Sequence, residues 1–151
     1  MKIYHARQKP ELLEEAYRLF CEHRYRAWQL ATFKSAFMAD VSLISIDVVD
    51  TKTQLCGYLL ARISLDEAEI DDISVCKQYR RLGYASSLLS ELISTLETKQ
   101  IKRILLEVNS NNSHAISLYQ RFGFRQIGMR KNYYDVQDNQ KEDALVMLRE
   151  S

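Results

Sequence analysis

Apolar side chains recur with a helical period most clearly between residues 84 and 96. They stand at i, i+3, i+4, i+7, i+8 and i+11, the spacing that places them on one face of an α-helix. These residues are Ala85, Leu88, Leu89, Leu92, Ile93 and Leu96. The pattern predicts a long amphipathic helix that buries this face.

Three shorter segments also predict helices. Pro10 suits the first position of a helix whose apolar stripe continues to residue 20, and residues 30–37 indicate a second, short helix. Residues 112–124 predict another helix, closed by Gly123 in a C-cap position.

Runs of strand-forming residues predict the sheet. They cover residues 41–49, 54–65, 69–75, 103–108, 125–134 and 144–150, and residues 3–5 could add a short first strand. The polar turn at 50–53 predicts an antiparallel hairpin, whereas the strand-helix-strand unit over 69–108 predicts a right-handed crossover with parallel strands. We therefore expect an α/β protein, a single domain over residues 1–151, with a mixed sheet flanked by helices.

Composition narrows the classes of function. The formal net charge of +1 argues against a general nucleic-acid binder, because such binding rests on neutralising many phosphates. No apolar run reaches the roughly 18 residues that a membrane span needs. The odd number of cysteines favours a reducing cytoplasm over a disulfide framework. No metal site is predicted from the cysteines or from the histidines, which are Cys21, Cys56, Cys76, His5, His23 and His114.

The loop QYRRLGYA (78–85), directly before the long helix, carries the strongest chemical signal. Unpaired N–H groups at a helix start bind phosphate, and Gly83 lets the main chain approach an anion. Arg80 and Arg81 could add charge-assisted contacts. Taken alone, such a loop is more often an ordinary turn with a solvated face, and it lacks the commoner glycine patterns of nucleotide-binding loops.

Residues 80–85, Arg-x-x-Gly-x-Ala, resemble the acetyl-CoA signature of the GNAT superfamily of N-acetyltransferases. LLEVNSNNSHAISLYQRFGF (105–124) resembles the second cofactor segment of that superfamily. DEAEI (66–70), GMRKNYY (128–134) and EDALVML (142–148) are similar to one subgroup, the RimI-type ribosomal-protein-alanine N-acetyltransferases. The resemblance implies a GNAT fold, in which a mixed, mostly antiparallel sheet of six to seven strands is flanked by about four helices.

The resemblance also implies acetyl-CoA as co-substrate and no metal. The backbone of residues 73–75 would pair with the pantetheine arm, and the Val75 N–H would polarise the thioester carbonyl. Residues 80–85 would wrap the diphosphate, and Asn112 would bind the cofactor arm. The cofactor-binding positions would then be Ile73, Ser74, Val75, Arg80, Arg81, Leu82, Gly83, Tyr84, Ala85 and Asn112.

Glu107 would be the general base and Tyr119 the general acid. An amine must be neutral to attack a thioester, and a thiolate departs more easily when it receives a proton, so a carboxylate and a phenol suit the reaction. Structural roles remain open for all of these side chains. Glu107 could lie on a solvent-facing edge, Tyr119 could be a core residue, and Asn112 could be an N-cap only.

The acceptor implied by the resemblance is a protein N-terminal α-amine, on the alanine of a small-subunit ribosomal protein, acetylated directly in a ternary complex in the cytoplasm. The acidic run 66–72 could attract a basic peptide tail or be a solvated strand end, and Tyr133 and Tyr134 could line a peptide channel or fill a strand. A small amine (a polyamine, amino acid or aminoglycoside) is an alternative acceptor. A module that holds coenzyme A without catalysis is a further alternative. Neither nucleic acid nor membrane is an expected partner, and the sequence does not indicate an oligomeric state.

Overall fold

The computed structural model describes residues 1–22, 24, 26–137 and 140–151. His23, which entered the search for a metal pattern, lies outside the described residues.

Within these residues the chain forms seven strands and four α-helices. The strands are β1 (Lys2–His5), β2 (Leu43–Val49), β3 (Lys52–Ser64), β4 (Glu67–Val75), β5 (Arg103–Asn109), β6 (Arg125–Gln137) and β7 (Gln140–Glu150). The helices are α1 (Leu13–Glu22), α2 (Leu30–Phe37), α3 (Tyr84–Thr98) and α4 (Ser113–Arg121). None of the described helices is both long and apolar enough to cross a membrane.

Two helices differ from the prediction at their ends. Pro10 begins a 3-10 turn, and α1 starts only at Leu13, whose N–H bonds to the Pro10 carbonyl with the tighter 3-10 spacing. The helix predicted over residues 112–124 is shorter, because Asn112 caps it from outside and it ends at Arg121. Gly123 follows with a positive φ of 86°, the backbone conformation that commonly terminates helices.

The strands form one sheet in the order β1-β2-β3-β4-β5-β7-β6. The β4–β5 pair is parallel and the other neighbours are antiparallel, which confirms the predicted fold class and the parallel pairing of the strands before and after α3. The hairpin between β2 and β3 turns through Asp50 and Thr51, both with positive φ (51° and 67°). Two-residue hairpins favour such turns because their twist matches that of the flanking strands.

Helices cover both faces of the sheet. On one face α3 and α4 bury a core that includes the predicted leucine stripe of α3 together with Leu106, Leu118 and Tyr119. On the other face α1 and α2 bury an aromatic core around Phe20, Phe33 and Tyr58.

β4 and β5 pair only along their first halves. Their register runs from Glu67↔Arg103 to Ile70↔Leu106, and the described residues form no β4–β5 pair beyond it. At the same point β4 shifts register against β3, so that Asp71 is an extra residue between two paired positions. Such a bulge bends a strand and increases its twist. Residues 71–75 consequently diverge from β5 while β3 still holds their other edge.

Candidate active site

The opening between β4 and β5 is bordered by two groups of predicted site residues. On the β4 side, Ile73, Ser74 and Val75 face β5 with an edge that carries no strand partner among the described residues. On the β5 side, Glu107 lies one residue beyond the last β4–β5 pair. A free strand edge offers N–H and C=O groups to any extended chain that enters the opening.

The loop before α3 lies at the end of β4. Gly83 is the N-cap of α3 and has φ +83°, a conformation that favours glycine, and a Cβ there would point into open space with nothing within 4 Å. The first N–H that bonds back into the helix is that of Ser87, which donates to the Gly83 carbonyl (3.0 Å). The N–H groups of Tyr84, Ala85 and Ser86 therefore have no acceptor within the helix and can bind an anion.

The other residues of the loop are exposed. Leu82 has 65% of its surface accessible, and Arg81 adopts a positive φ of 62°. Arg80 folds back onto the strand, and its Nε donates to the Val75 carbonyl at 3.1 Å. The Arg80 side chain thus steadies the junction between β4 and the loop.

Glu107 projects from β5 on the face opposite to α3 and α4. Its Oε1 lies 2.9 Å from Nε of Arg130 on β6, and the guanidinium of Arg130 in turn lies 5.4 Å from the ring centre of Tyr133. Glu107 raises the pKa of the Tyr133 hydroxyl by its negative charge. A small cavity of about 150 Å³ adjoins the carboxylate and is lined by Glu69, Leu105, Leu106, Glu107, Arg130 and Val146. The carboxylate therefore borders a lined recess and is partly buried, with 22% of its side-chain surface exposed.

Tyr119 projects from α4 and is 5% exposed. Burial raises the pKa of its hydroxyl well above the usual value, and the nearby Tyr134 hydroxyl raises it further. Burial likewise raises the pKa of Tyr134 to about 12, with the charge of Glu107 as the next cause. Tyr119 also packs on Phe124 (5.6 Å between ring centres) and belongs to the buried core on the α3 and α4 face of the sheet.

Asn112 is the N-cap of α4. Its Oδ1 accepts a hydrogen bond from the Ala115 N–H at 3.2 Å, and the residue is exposed. Its side-chain nitrogen remains available for a ligand, since an amide carries both an acceptor and donors.

The acidic run before the loop is not a free negative surface. Arg62 pairs with Glu69 (3.0 Å) and Asp71 (3.1 Å), and Arg103 pairs with Glu67 (3.0 Å). Asp72 contacts Arg24. Three arginines thus contact four carboxylates and reduce the negative charge of the run, and the attraction of a basic peptide stays a prediction.

The sequence analysis missed the cluster around Asp72. This carboxylate is buried, and it contacts Arg24 while accepting hydrogen bonds from the hydroxyls of Tyr58 (2.6 Å) and Ser74 (3.2 Å). Asp72 stands two residues after the buried Ile70, where strand alternation favours another apolar side chain, so a buried carboxylate there needs a partner that the sequence does not identify.

Residues 7–124 match the acetyltransferase (GNAT) family. The chain belongs to this family. The GNAT protein is 36% identical over 94 residues to the ribosomal protein bS18-alanine N-acetyltransferase of Escherichia coli (strain K12), over 62% of this chain and 63% of that protein. It is 37% identical over 93 residues to the protein of the same name from Haemophilus ducreyi, over 62% of this chain and 64% of that protein. The matched segment spans less than two thirds of the length of these relatives.

A solved structure extends the likeness to the whole fold. The crystal structure of the ribosomal-protein-S18-alanine N-acetyltransferase from Escherichia coli has a TM-score of 0.82 at 27% identity, covering 99% of this chain and 92% of that chain. The predictions of a GNAT fold and of a likeness to RimI-type proteins are confirmed.

Proposed function

We propose that this GNAT protein transfers the acetyl group of acetyl-CoA to the N-terminal α-amine of a protein, on the alanine of a small-subunit ribosomal protein in the cytoplasm. Residues 1–151 would form one GNAT domain. The similarity to the Escherichia coli and Haemophilus ducreyi relatives supports it, since these are ribosomal protein bS18-alanine N-acetyltransferases. The observation that carries it is the opening between β4 and β5, which has a free strand edge on one side and Glu107 on the other.

The residues around this opening fit acetyl-CoA. The edge of β4 at residues 73–75 offers backbone hydrogen bonds to a pantetheine arm, and the Val75 N–H would polarise the thioester carbonyl. Residues 80–85 would hold the diphosphate, mainly through N–H groups at the start of α3, where Gly83 leaves open space. Asn112 would bind the cofactor arm. Acetyl-CoA supplies the activated acetyl group, so the protein needs only to bind and orient the two substrates and to move protons.

Glu107 would take the proton that the attacking amine must lose. The pKa of an α-amine is about 7.7–8.0, whereas that of lysine is about 10.4. An α-amine therefore needs only a mild base near neutral pH, and a carboxylate can serve directly or through water. The ion pair with Arg130 would fix the direction of the Glu107 carboxylate before the substrate arrives.

Tyr119 would give its proton to the departing sulfur. Because burial raises its pKa, the hydroxyl stays protonated over the whole physiological range and is ready to donate. The hydroxyl O–H bond then breaks as the S–H bond forms, and the phenolate is reprotonated after the products leave. Tyr133 and Tyr134 would line the channel through which the peptide N-terminus approaches.

A direct acetylation assay tests the proposal. The purified protein is incubated with acetyl-CoA and a peptide that has the N-terminal sequence of a ribosomal protein beginning with alanine. The same peptide with a blocked N-terminus is the matched control, and polyamines, amino acids and aminoglycosides form a small-amine panel. Acetylation of the free peptide alone supports the proposal. Turnover of a small amine without turnover of the peptide would replace it by the small-amine alternative, and absence of acetyl-CoA binding in calorimetry would remove both.

A further inference from the structure

Asp143 on β7 connects the two strands that flank it. Its backbone carbonyl accepts a hydrogen bond from the N–H of Ser110, the first residue after β5, at 2.9 Å. Its side-chain Oδ1 accepts another from the N–H of Asn132 on β6, also at 2.9 Å. The main chain of Asp143 is thus fixed to the strand that carries Glu107, while its carboxylate holds β6.

The hydrogen bond to Asn132 lies at a bulge of β6. This strand pairs with β7 at Arg130 and next at Tyr134, and between them residues 131–133 stand opposite Asp143 alone. Asn132, the middle residue, has a positive φ of 54°, which asparagine tolerates better than most residues. A bulge interrupts the regular hydrogen bonds between two strands. The carboxylate of Asp143 therefore supplies an acceptor at the point where the strand pairing is interrupted.

The bulge brings two consecutive tyrosines into contact. In a regular strand, neighbouring side chains point to opposite faces of the sheet. The rings of Tyr133 and Tyr134 instead lie 5.1 Å apart between centres, with their planes at 81°. The guanidinium of Arg130 lies 5.4 Å from the ring centre of Tyr133 and contacts Glu107 at 2.9 Å. The shape of the bulge therefore determines where both rings stand relative to this ion pair.

We propose that Asp143 is a positioning residue for the acceptor. It holds the bulge of β6 in the conformation that keeps Tyr133 against the Arg130–Glu107 ion pair and Tyr134 against Tyr133. Asp143 acts through these tyrosines, which line the channel proposed for the peptide N-terminus, and does not itself exchange a proton. This inference deepens the proposed function and rests on it.

The contacts separate acceptor binding from the other steps. Arg130 occupies a paired position before the bulge, so its contact with Glu107 does not require the Asp143 carboxylate. The bond from Ser110 to Asp143 is a backbone bond and survives a change of side chain. The edge of β4 at residues 73–75, proposed for acetyl-CoA, is separated from β6 by β5 and β7. Loss of the carboxylate should therefore affect the KM of the acceptor and spare kcat and the affinity for acetyl-CoA.

The test compares Asp143→Ala and Asp143→Asn with the wild type. Alanine removes the acceptor of the Asn132 N–H, whereas asparagine keeps an oxygen at nearly the same place. Asp47→Ala is the matched control, because the Oδ1 of Asp47 also accepts a backbone N–H, that of Val48, at 2.9 Å, but on β2. Steady-state kinetics at saturating acetyl-CoA gives kcat and KM with the acceptor that the wild type uses. Calorimetry gives the Kd of acetyl-CoA, and hydrogen exchange reports on the amides of residues 131–134.

We expect Asp143→Ala to raise the KM of the acceptor about tenfold, as loss of a hydrogen bond to a charged group can cause. Its kcat and its Kd for acetyl-CoA should change by less than about threefold, and the Asn132 amide should exchange faster. Asp143→Asn should keep KM within about threefold of the wild type, because an acceptor oxygen remains. Asp47→Ala should match the wild type in kcat, KM and Kd.

Two substitutions at Asn132 perturb the same bulge from the other strand. Asn132→Gly and Asn132→Val both remove the amide side chain, but only valine disfavours the positive φ. Asn132→Val should raise the KM of the acceptor, whereas Asn132→Gly should keep it. If Asp143→Ala fails to fold, this pair decides, and equal KM values in the two variants overturn the inference.

A folded Asp143→Ala protein with the KM of an active wild type overturns the inference. An Asp143→Asn protein with a KM as high as that of Asp143→Ala does so too, because the acceptor oxygen would then be irrelevant. An equal loss of kcat and of affinity for acetyl-CoA would show general damage and also overturns it. A wild type that acetylates no acceptor removes the proposed function, and this inference with it, which keeps the two failures distinct.

Discussion

Replacing Gly57 with alanine tests how tightly β3 holds the strand edge that we propose for the cofactor. Gly57 lies opposite Val75, and a Cβ at this position would lie 2.6 Å from the Ser74 carbonyl oxygen and 3.2 Å from the Val75 Cα. Ordinary contact begins near 3.4 Å, so the Ser74 carbonyl must retreat by about 0.8 Å. Both neighbours are backbone atoms, which cannot rotate away as a flexible side chain would.

The displacement should affect stability and catalysis together. Overpacking of this kind costs about 1–3 kcal/mol, and each kcal/mol lowers Tm by about 2–4 °C in a protein of this size. Because the shift falls on Ser74 and Val75, we expect kcat/KM to fall by about 10- to 100-fold, as a misplacement near 1 Å can cause. Differential scanning calorimetry measures Tm, and steady-state kinetics with a fixed acceptor measures kcat/KM.

Gly128→Ala is the matched control. Gly128 is also a strand glycine, but the nearest atom to its added Cβ would be the Val146 Cβ at 3.8 Å, an ordinary contact. This variant should stay within about 0.5 kcal/mol of the wild type and keep its kcat/KM. If Gly57→Ala and Gly128→Ala have the same Tm and the same kcat/KM, the close approach of β3 to the Ser74–Val75 backbone has no functional consequence.

Three further predictions concern the site itself. Glu107→Gln should lower kcat by about 10²–10⁴-fold, as expected for loss of a general base, and undiminished turnover in a pH-rate profile would remove that role. Tyr119→Phe should lower kcat. In the wild type the raised pKa of Tyr119 makes the folded state retain a proton that the unfolded state releases above about pH 10, so the free energy of unfolding falls as the pH rises there. Urea unfolding of Tyr119→Phe should therefore show a shallower fall at alkaline pH. An equally steep fall in this variant would contradict the linkage. Gly83→Ala should weaken the binding of acetyl-CoA measured by calorimetry. Gly123→Ala is the control: its φ of 86° is similar, so it should lose comparable stability but bind acetyl-CoA like the wild type. Equal acetyl-CoA affinities of the two variants would argue against a diphosphate site at Gly83.

The sequence predicted the parts of the fold that local patterns determine. The leucine stripe of α3 and the strand-helix-strand order fixed the parallel β4–β5 pair, since a helical period and a right-handed crossover need only nearby residues. The position of Gly83 at the start of α3 was predicted because the apolar period of the helix begins directly after it. The strand patterns did not predict the limited pairing of β4 with β5. The bulge at Asp71 arises from the register against β3, and the alternation of apolar and polar residues in β4 does not reveal that register.

The electrostatics of the site depend on contacts between distant residues. Arg24 and Asp72 are 48 residues apart, and Arg130 reaches Glu107 from another strand. The role of the acidic run stayed open because the sequence shows its carboxylates but not their contacts with arginines of neighbouring strands, such as Arg62. Partners of this kind depend on the register of the whole sheet, which single-sequence patterns do not determine.

Intact-mass spectrometry of the ribosomal proteins tests the central claim most directly. Cells with and without this protein are compared, and the Glu107→Gln variant is returned to the deficient cells as the control. We predict that one small-subunit protein with an N-terminal alanine is lighter by the mass of one acetyl group in the deficient cells and in the Glu107→Gln cells. Ribosomal proteins with identical masses in all three strains would contradict the account.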